Sequence, residues 1–271
     1  MTAGLISEKD MAEVRSPLSI TFSVWQAIFL REAIDRLFDM RAAWFWLLME
    51  PVCHIGFIAF VWTAIRVHSV GGMDLMMWIM IGMLAFFLFR RTSVQVMYAA
   101  ESNRPFFVYR QVKPFDTAIA RAGLEAFLMG LVSTIILGAA TLLGHETLPR
   151  DPLMAAQALL GLWLFGIGYG LITSVLMALV PEMEHVLKLL MMPMYLISGV
   201  IWPIASVPQP YRDMLMLNPV AYGLELIRMA FFPYYYAANG TSVGYLYAWS
   251  GGSIFLGLML YRRFARQLVT Q

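Results

Sequence analysis

Residues 185–236 read HVLKLLMMPMYLISGVIWPIASVPQPYRDMLMLNPVAYGLELIRMAFFPYYY, and the fold turns on how this stretch meets a membrane. Val186–Trp202 is apolar apart from Lys188 and about 17 residues long, just enough for a helix to cross a ~30 Å hydrocarbon layer. The pattern then breaks at Pro203, Pro208, Pro210, Pro219 and Pro233. The longest uninterrupted piece, Val220–Phe232, would rise only ~20 Å as a helix. It is apolar, too short to span, and carries Glu225 and Arg228. Non-helical backbone survives at membrane depth only inside protein or along a watery path. The expectation is one crossing followed by a re-entrant helical hairpin over 203–236.

The rest of the chain supports a membrane setting. Of 271 residues, 60% are hydrophobic and 13% charged, with a mean hydropathy of +0.69; soluble domains carry about 25% charged residues. A net charge of +2 gives no reason to expect nucleic acid. The one cysteine, Cys53, excludes an internal disulfide. No P-loop, nucleophile elbow or metal-ligand spacing occurs, and the four histidines are scattered. Catalysis, a metal and a cofactor are therefore not expected on this chain. ATP and Mg, if used, belong to a partner ATPase.

Hydropathy outlines five further crossings: Trp44–Ile65, Leu75 through the Arg90-Arg91 interruption to Ala100, Ala118–Leu143, Leu153–Val180 and Val243–Tyr261. With the fifth at Val186–Trp202, the fold class is an all-α membrane protein of six transmembrane helices. Residues 19–41 precede them as an amphipathic helix, with Phe29, Leu30, Ala33, Ile34, Leu37 and Met40 on one face and Arg31, Glu32, Asp35, Arg36 and Asp39 on the other. Such a helix can lie in the headgroup plane or pack on the protein's own cytoplasmic surface. The fourth crossing holds Gly161, Gly166, Gly168 and Gly170, which let neighbouring helices approach. Both ends are expected in the cytoplasm: twelve Lys and Arg residues then fall on that side, against Arg66, Arg150, Arg212 and Arg228 outside.

Ser198-Gly199, Asn218-Pro219, Tyr222 and Arg228 form a small-residue pair followed by Asn-Pro-x-x-Tyr-x5-Arg. With the six-crossing layout, this resembles the ABC-2 family of transporter permeases; Val220 is a mild departure, where Leu, Ile, Met, Phe or Thr is commoner. Within that family the short loops look most like inner-membrane permeases of Gram-negative capsular polysaccharide exporters. The resemblance implies one ABC-2 transmembrane domain over 1–271, in the bacterial inner membrane, acting as a transport subunit for a lipid-linked polysaccharide. It implies a homodimer with two ATPase subunits, and periplasmic co-polymerase and outer-membrane partners. O-antigen or teichoic-acid export is the alternative cargo. An enzyme on lipid-linked glycans is the alternative class, but no acid/base pair at a membrane surface supports it.

Three sets of residues could carry function. The loop 101–115 mixes Arg104, Arg110 and Lys113 with Phe106, Phe107 and Tyr109, between Pro105, which can open a short helix, and Pro114, which would stop it. It suits either a groove on a partner or lipid headgroups, and the resemblance implies a coupling helix on the ATPase, with Glu182 and Glu184 in a smaller second contact. Arg90 and Arg91 are costly charges within a crossing; they can snorkel, pair with Glu50, or meet an anionic substrate group. Tyr222, Arg228, Tyr234, Tyr235 and Tyr236 on the hairpin, among other outer aromatics, suit an interfacial belt or a lining against which sugar rings stack.

Overall fold

The computed structural model describes residues 17–270 except 39–41, 66, 68, 110 and 239. Eleven α-helices follow in order among them. Helix α1 (Pro17–Phe38) precedes α2 (Ala43–Ala64), and a two-stranded antiparallel ribbon, β1 (Ser69–Val70) with β2 (Met73–Asp74), leads into α3 (Leu75–Met97). Next come α4 (Ala99–Ser102), a 3-10 turn (Arg104–Val108), α5 (Pro114–Leu142), α6 (Pro152–Leu179) and α7 (Met183–Ile197). A second 3-10 turn (Ile204–Ser206), α8 (Tyr211–Leu215) and α9 (Pro219–Phe231) lead to α10 (Val243–Arg263) and α11 (Ala265–Thr270). Helix boundaries follow local chemistry. Asp74, Asp151 and Asn218 accept from the backbone N–H of Met77, Met154 and Val220 at 3.2, 2.9 and 3.0 Å, capping α3, α6 and α9. Pro152 and Pro219 sit in the first turns of α6 and α9, where the missing N–H costs nothing.

Helix α3 runs through the centre. Trp78, Phe86 and Phe89 on it are fully buried among side chains of α2, α6, α9 and the loop after α9. Helix α6 packs along both α3 and α10. Its glycines make that possible: a Cβ on Gly170 would come 2.8 Å from the Ser93 carbonyl oxygen, and one on Gly168 2.7 Å from the Ile254 backbone nitrogen. The far ends of the helices are laced together by backbone bonds, Asp151 N–H to Ala230 O at 2.9 Å and Tyr236 N–H to Gly71 O at 3.1 Å.

Among the described residues five helices, α2, α3, α5, α6 and α10, are long and apolar enough to cross a membrane. In the stretch expected as the fifth crossing, Val186–Trp202, the helix is the 15-residue α7, which begins at Met183 and ends at Ile197. Its hydropathy continues past Ile197, but Gly199 takes φ +74°, in the left-handed region, and the helix stops. Arg90 and Arg91, which interrupt the apolar pattern of the second crossing, lie within α3, which runs as one helix to Met97. Pro114 does not stop a helix; it opens α5. The ribbon at 69–74 replaces the plain loop expected there.

Candidate functional site

Two ends of the bundle hold the residues singled out by sequence. At one, α3 ends and the chain turns through α4 and the 3-10 turn at Arg104–Val108, with Pro105 in its first turn. Phe107 packs inward with the cluster of Val96, Ala99, Ala118 and Leu268. The ring of Phe106 lies under the Arg31 guanidinium at 4.0 Å. Val108 and Tyr109 point outward, 84% and 65% exposed. Lys113 is exposed and Arg104 half-buried, while Arg110 lies outside the described residues. The second expected contact sits on the same end: Glu184 accepts from Tyr98 Oη at 2.9 Å and from Lys188 Nζ at 2.6 Å, and Glu182 is exposed.

Behind the turn is a lattice of charges that sequence reading did not assemble. Glu32 of α1 is buried and accepts from Arg121 Nε at 2.9 Å and Asn103 Nδ2 at 3.0 Å. Asn103 in turn accepts from Arg31. One helical turn on, Arg36 donates to Glu125 and to Gln95. Arg91 meets Glu125 at 3.3 Å and Glu50 at 3.4 Å, and Arg90 meets Glu50 at 3.8 Å. Burial, the largest single influence, raises the Glu32 carboxyl; the Arg121 guanidinium, the Asn103 amide and Arg36 together outweigh it and hold it below its ordinary value. Helix α1 is thus fastened by its charged face. Trp25 Nε1 adds a bond to Asp116 at 2.8 Å. Its apolar side chains Phe22, Leu30, Ile34 and Phe38 face out, exposed. A cleft of about 980 Å³ opens between α1, α2 and α3, with Arg36, Glu50 and Arg91 on its wall beside Trp46. Arg90 and Arg91 therefore take the Glu50 partner weighed for them. Beside that pairing, the lattice's signal in the sequence is Arg121 and Glu125, one turn apart in an apolar run.

At the opposite end the broken segment folds on itself. Asn218 Nδ2 donates to Ser198 Oγ at 2.8 Å. Arg228 Nη1 reaches the Gly199 carbonyl at 2.9 Å and Glu225 at 3.4 Å, and Nη2 lies 3.5 Å from the Val200 carbonyl. Arg228, Glu225 and Ser198 are fully buried. Glu225 also accepts from Tyr235 Oη at 3.1 Å and the Ala238 N–H at 2.9 Å. The motif is a clasp: its small pair, asparagine and arginine hold one another. Arg228 and Tyr235, expected along a substrate path, lie inside the chain's own fold, since the open carbonyls past α7 and the Glu225 carboxylate claim their polar atoms. Tyr234 and Tyr236 are exposed. Tyr222 is partly buried and stacks on Tyr245 with centroids 4.3 Å apart; Trp249 follows edge-on at 6.3 Å. Gly82 went unnoticed in sequence; a Cβ there would fall 2.2 Å from Arg228 Nη2.

A central buried helix flanked by apolar ones long enough to cross a membrane, and a proline-broken segment clasped by Ser198, Gly199, Asn218 and Arg228, define a helical domain of the polytopic membrane class. The profile of the ABC-2 type transporter family matches residues 23–232, and the chain belongs to that family. It is 31% identical to the polysialic acid transport protein KpsM of Escherichia coli over 94% of this chain and 99% of that protein. It is 25% identical to the capsule polysaccharide export inner-membrane protein CtrC of Neisseria meningitidis serogroup A, over 76% and 78% of the two chains. For the capsule polysaccharide export inner-membrane protein BexB of Haemophilus influenzae, identity is 22% over 97% and 98%. The chain is a multi-pass membrane protein and a permease subunit.

Proposed function

We propose that this chain is the membrane permease through which a lipid-linked capsular polysaccharide leaves the cytoplasm. The carrying observation is the similarity to KpsM, 31% identical over 94% of this chain and 99% of that protein. Hydrolysis of ATP, with its Mg, belongs to two separate ATPase subunits seated on a permease homodimer. The polymer then passes to periplasmic co-polymerase and outer-membrane export proteins. Exposed Val108 and Tyr109, flanked by Lys113, favour residues 101–115 as the contact with the ATPase, with Glu182 and Glu184 beside it.

The same reading places one domain over 1–271 in the bacterial inner membrane, with six crossings and both ends cytoplasmic. Helix α7 rises ~22 Å and supplies the remaining crossing together with the segment after it. The carbonyls of Gly199 and Val200, left without helical partners, are met by Arg228, which is what irregular backbone needs at membrane depth. That favours α8 and α9 as a hairpin re-entering the outer leaflet. The outward apolar face of α1 favours its lying in the headgroup plane. Proteoliposomes holding this chain and a capsule-type ATPase subunit test the function: lipid-linked polymer should cross in an ATP-dependent manner. ATP hydrolysis without movement of polymer would refute it.

A further inference from the structure

Helices α5 and α6 both lie along α3 but part above it, and the gap is a slot of about 570 Å³. Leu84 and Ala85 of α3, both buried, form its floor. Ala126, Gly130 and Leu137 of α5 stand on one side and Leu160 and Trp163 of α6 on the other, while Ile227 and Phe231 of α9 complete the wall. Among the described residues no charged side chain lines it. Two of its polar groups are spent on the helices themselves: Trp163 Nε1 donates to the Ala122 carbonyl at 2.9 Å and Thr134 Oγ1 to the Gly130 carbonyl at 2.8 Å. The slot is also deep, since α3, α5 and α6 are all long and apolar enough to cross a membrane. Counted by helical rise from the end of α5 at Leu142, the α5 wall runs from ~8 Å to ~24 Å in, well inside a ~30 Å hydrocarbon layer.

We infer that this slot holds one acyl chain of a bilayer phospholipid as a resident part of the fold. Depth selects hydrocarbon, because water and headgroups lie outside this layer. Size then selects a chain over a helix. Ala126 and Leu137 lie ~17 Å apart along α5, so the slot's cross-section (570 Å³ over that length) is roughly 34 Å². A partner helix about 10 Å across would need roughly 79 Å². Left empty, the slot would forfeit the dispersion contacts of its walls; a flexible chain regains them and asks for no hydrogen bond. Gly130 keeps the space open, since a Cβ there would meet nothing within 4 Å. The chain also backs the clasp: Ile227 and Phe231 stand on either side of Arg228 along α9, the helix that Arg228 holds to the segment past α7. This site is independent of the cargo and of the ATPase.

The test places the full chain in nanodiscs of phosphatidylethanolamine and phosphatidylglycerol that include a phospholipid with a photoreactive diazirine on one acyl chain. After illumination, label should appear on Leu160 and Trp163 in the slot, and also on Phe127 and Leu131, which face outward at 60% and 48% exposed. Gly130→Leu and Ala126→Phe fill the slot and should abolish the label at Leu160 and Trp163, while Phe127 and Leu131 keep theirs and the elution profile stays that of the parent. Gly138→Leu, equally clear of neighbours but outside the slot, is the control and should label as the parent does. The parent gives a second readout that needs no variant: native mass spectrometry should find phospholipid retained through detergent purification. A parent without slot label or without retained lipid overturns the site. So does slot label that persists in a filled variant, which is the mark of lipid merely surrounding the chain. Loss of slot label on adding lipid-linked polymer would give the slot to the cargo and equally overturn the assignment.

Discussion

The Arg228 guanidinium lies 3.8 Å over the ring of Trp78, a cation enclosed by an aromatic face from α3. Cation–π attraction strengthens when the pair is desolvated. The carbonyl of Gly199 and the carboxylate of Glu225 take part of its hydrogen-bonding capacity. The arrangement fixes α9 to the carbonyls left open past α7, and so sets the shape of the whole broken segment.

Replacing Arg228 with Met leaves Glu225 without its cationic partner in the interior. Breaking a buried pair on one side costs about 3–5 kcal/mol, so the purified chain in detergent should melt well below the parent. Lysine should not restore it, because a single ammonium cannot reproduce the planar fork over Trp78. Gly82→Val should act similarly by taking the guanidinium's space. A normal melt with lost export would instead make Arg228 a contact for the passenger.

The three consecutive tyrosines should separate in experiment. Tyr235→Phe removes the hydroxyl bonded to Glu225 at 3.1 Å and should lower the melting temperature while export per folded molecule stays unchanged. Alanine at Tyr234 and Tyr236, 94% and 65% exposed, should leave the melt alone and reduce export. Export equal to the parent in the Tyr234, Tyr236 double variant would remove those rings from the path.

Acid should loosen α1. A folded-state pKa below the ordinary 4.5 means that Glu32 contributes stability that is complete above that value and is lost as pH falls through the folded value. Melting temperature should therefore drop on acidification below about pH 4.5 more steeply in the parent than in Glu32→Gln. Parallel curves would show that the Arg121–Glu32 contact does not govern the acid limb.

Tyr109→Ala should depress polymer-coupled ATP hydrolysis without altering the melt, since its side chain is mostly in solvent. Phe107→Ala should lower the melt as well, because Phe107 packs against the cluster beneath the turn. Equal ATPase rates for Tyr109→Ala and parent would argue that the turn faces lipid headgroups.

How much could be read from the chain alone depended on range. Prolines act on their own residue and the one before it, so the short helix expected over Val220–Phe232 matches α9 at Pro219–Phe231 to within a residue. The end of α7 was misplaced because hydropathy runs on through Ser198-Gly199, whereas the stop is a backbone angle at Gly199. The role of Arg228 was hidden for another reason. Its position on α9 announces a charge, but the room for it is made by Gly82 and the ring by Trp78, both on α3. Likewise Arg121 and Glu125 are charges in an apolar run, while their partners Glu32 and Arg36 each lie 89 positions earlier.

That distance has a meaning for the nascent chain. Arg121 is the 89th residue that the ribosome adds after Glu32. At about 5–20 residues per second that is an interval of roughly 4–18 seconds. Within it α2 and α3 are made, and of the groups that meet Glu32 in the fold only Arg31, Arg36 and Asn103 are yet in the chain. Of the described helices, the one translated earliest is therefore among the last to be bolted down at this end.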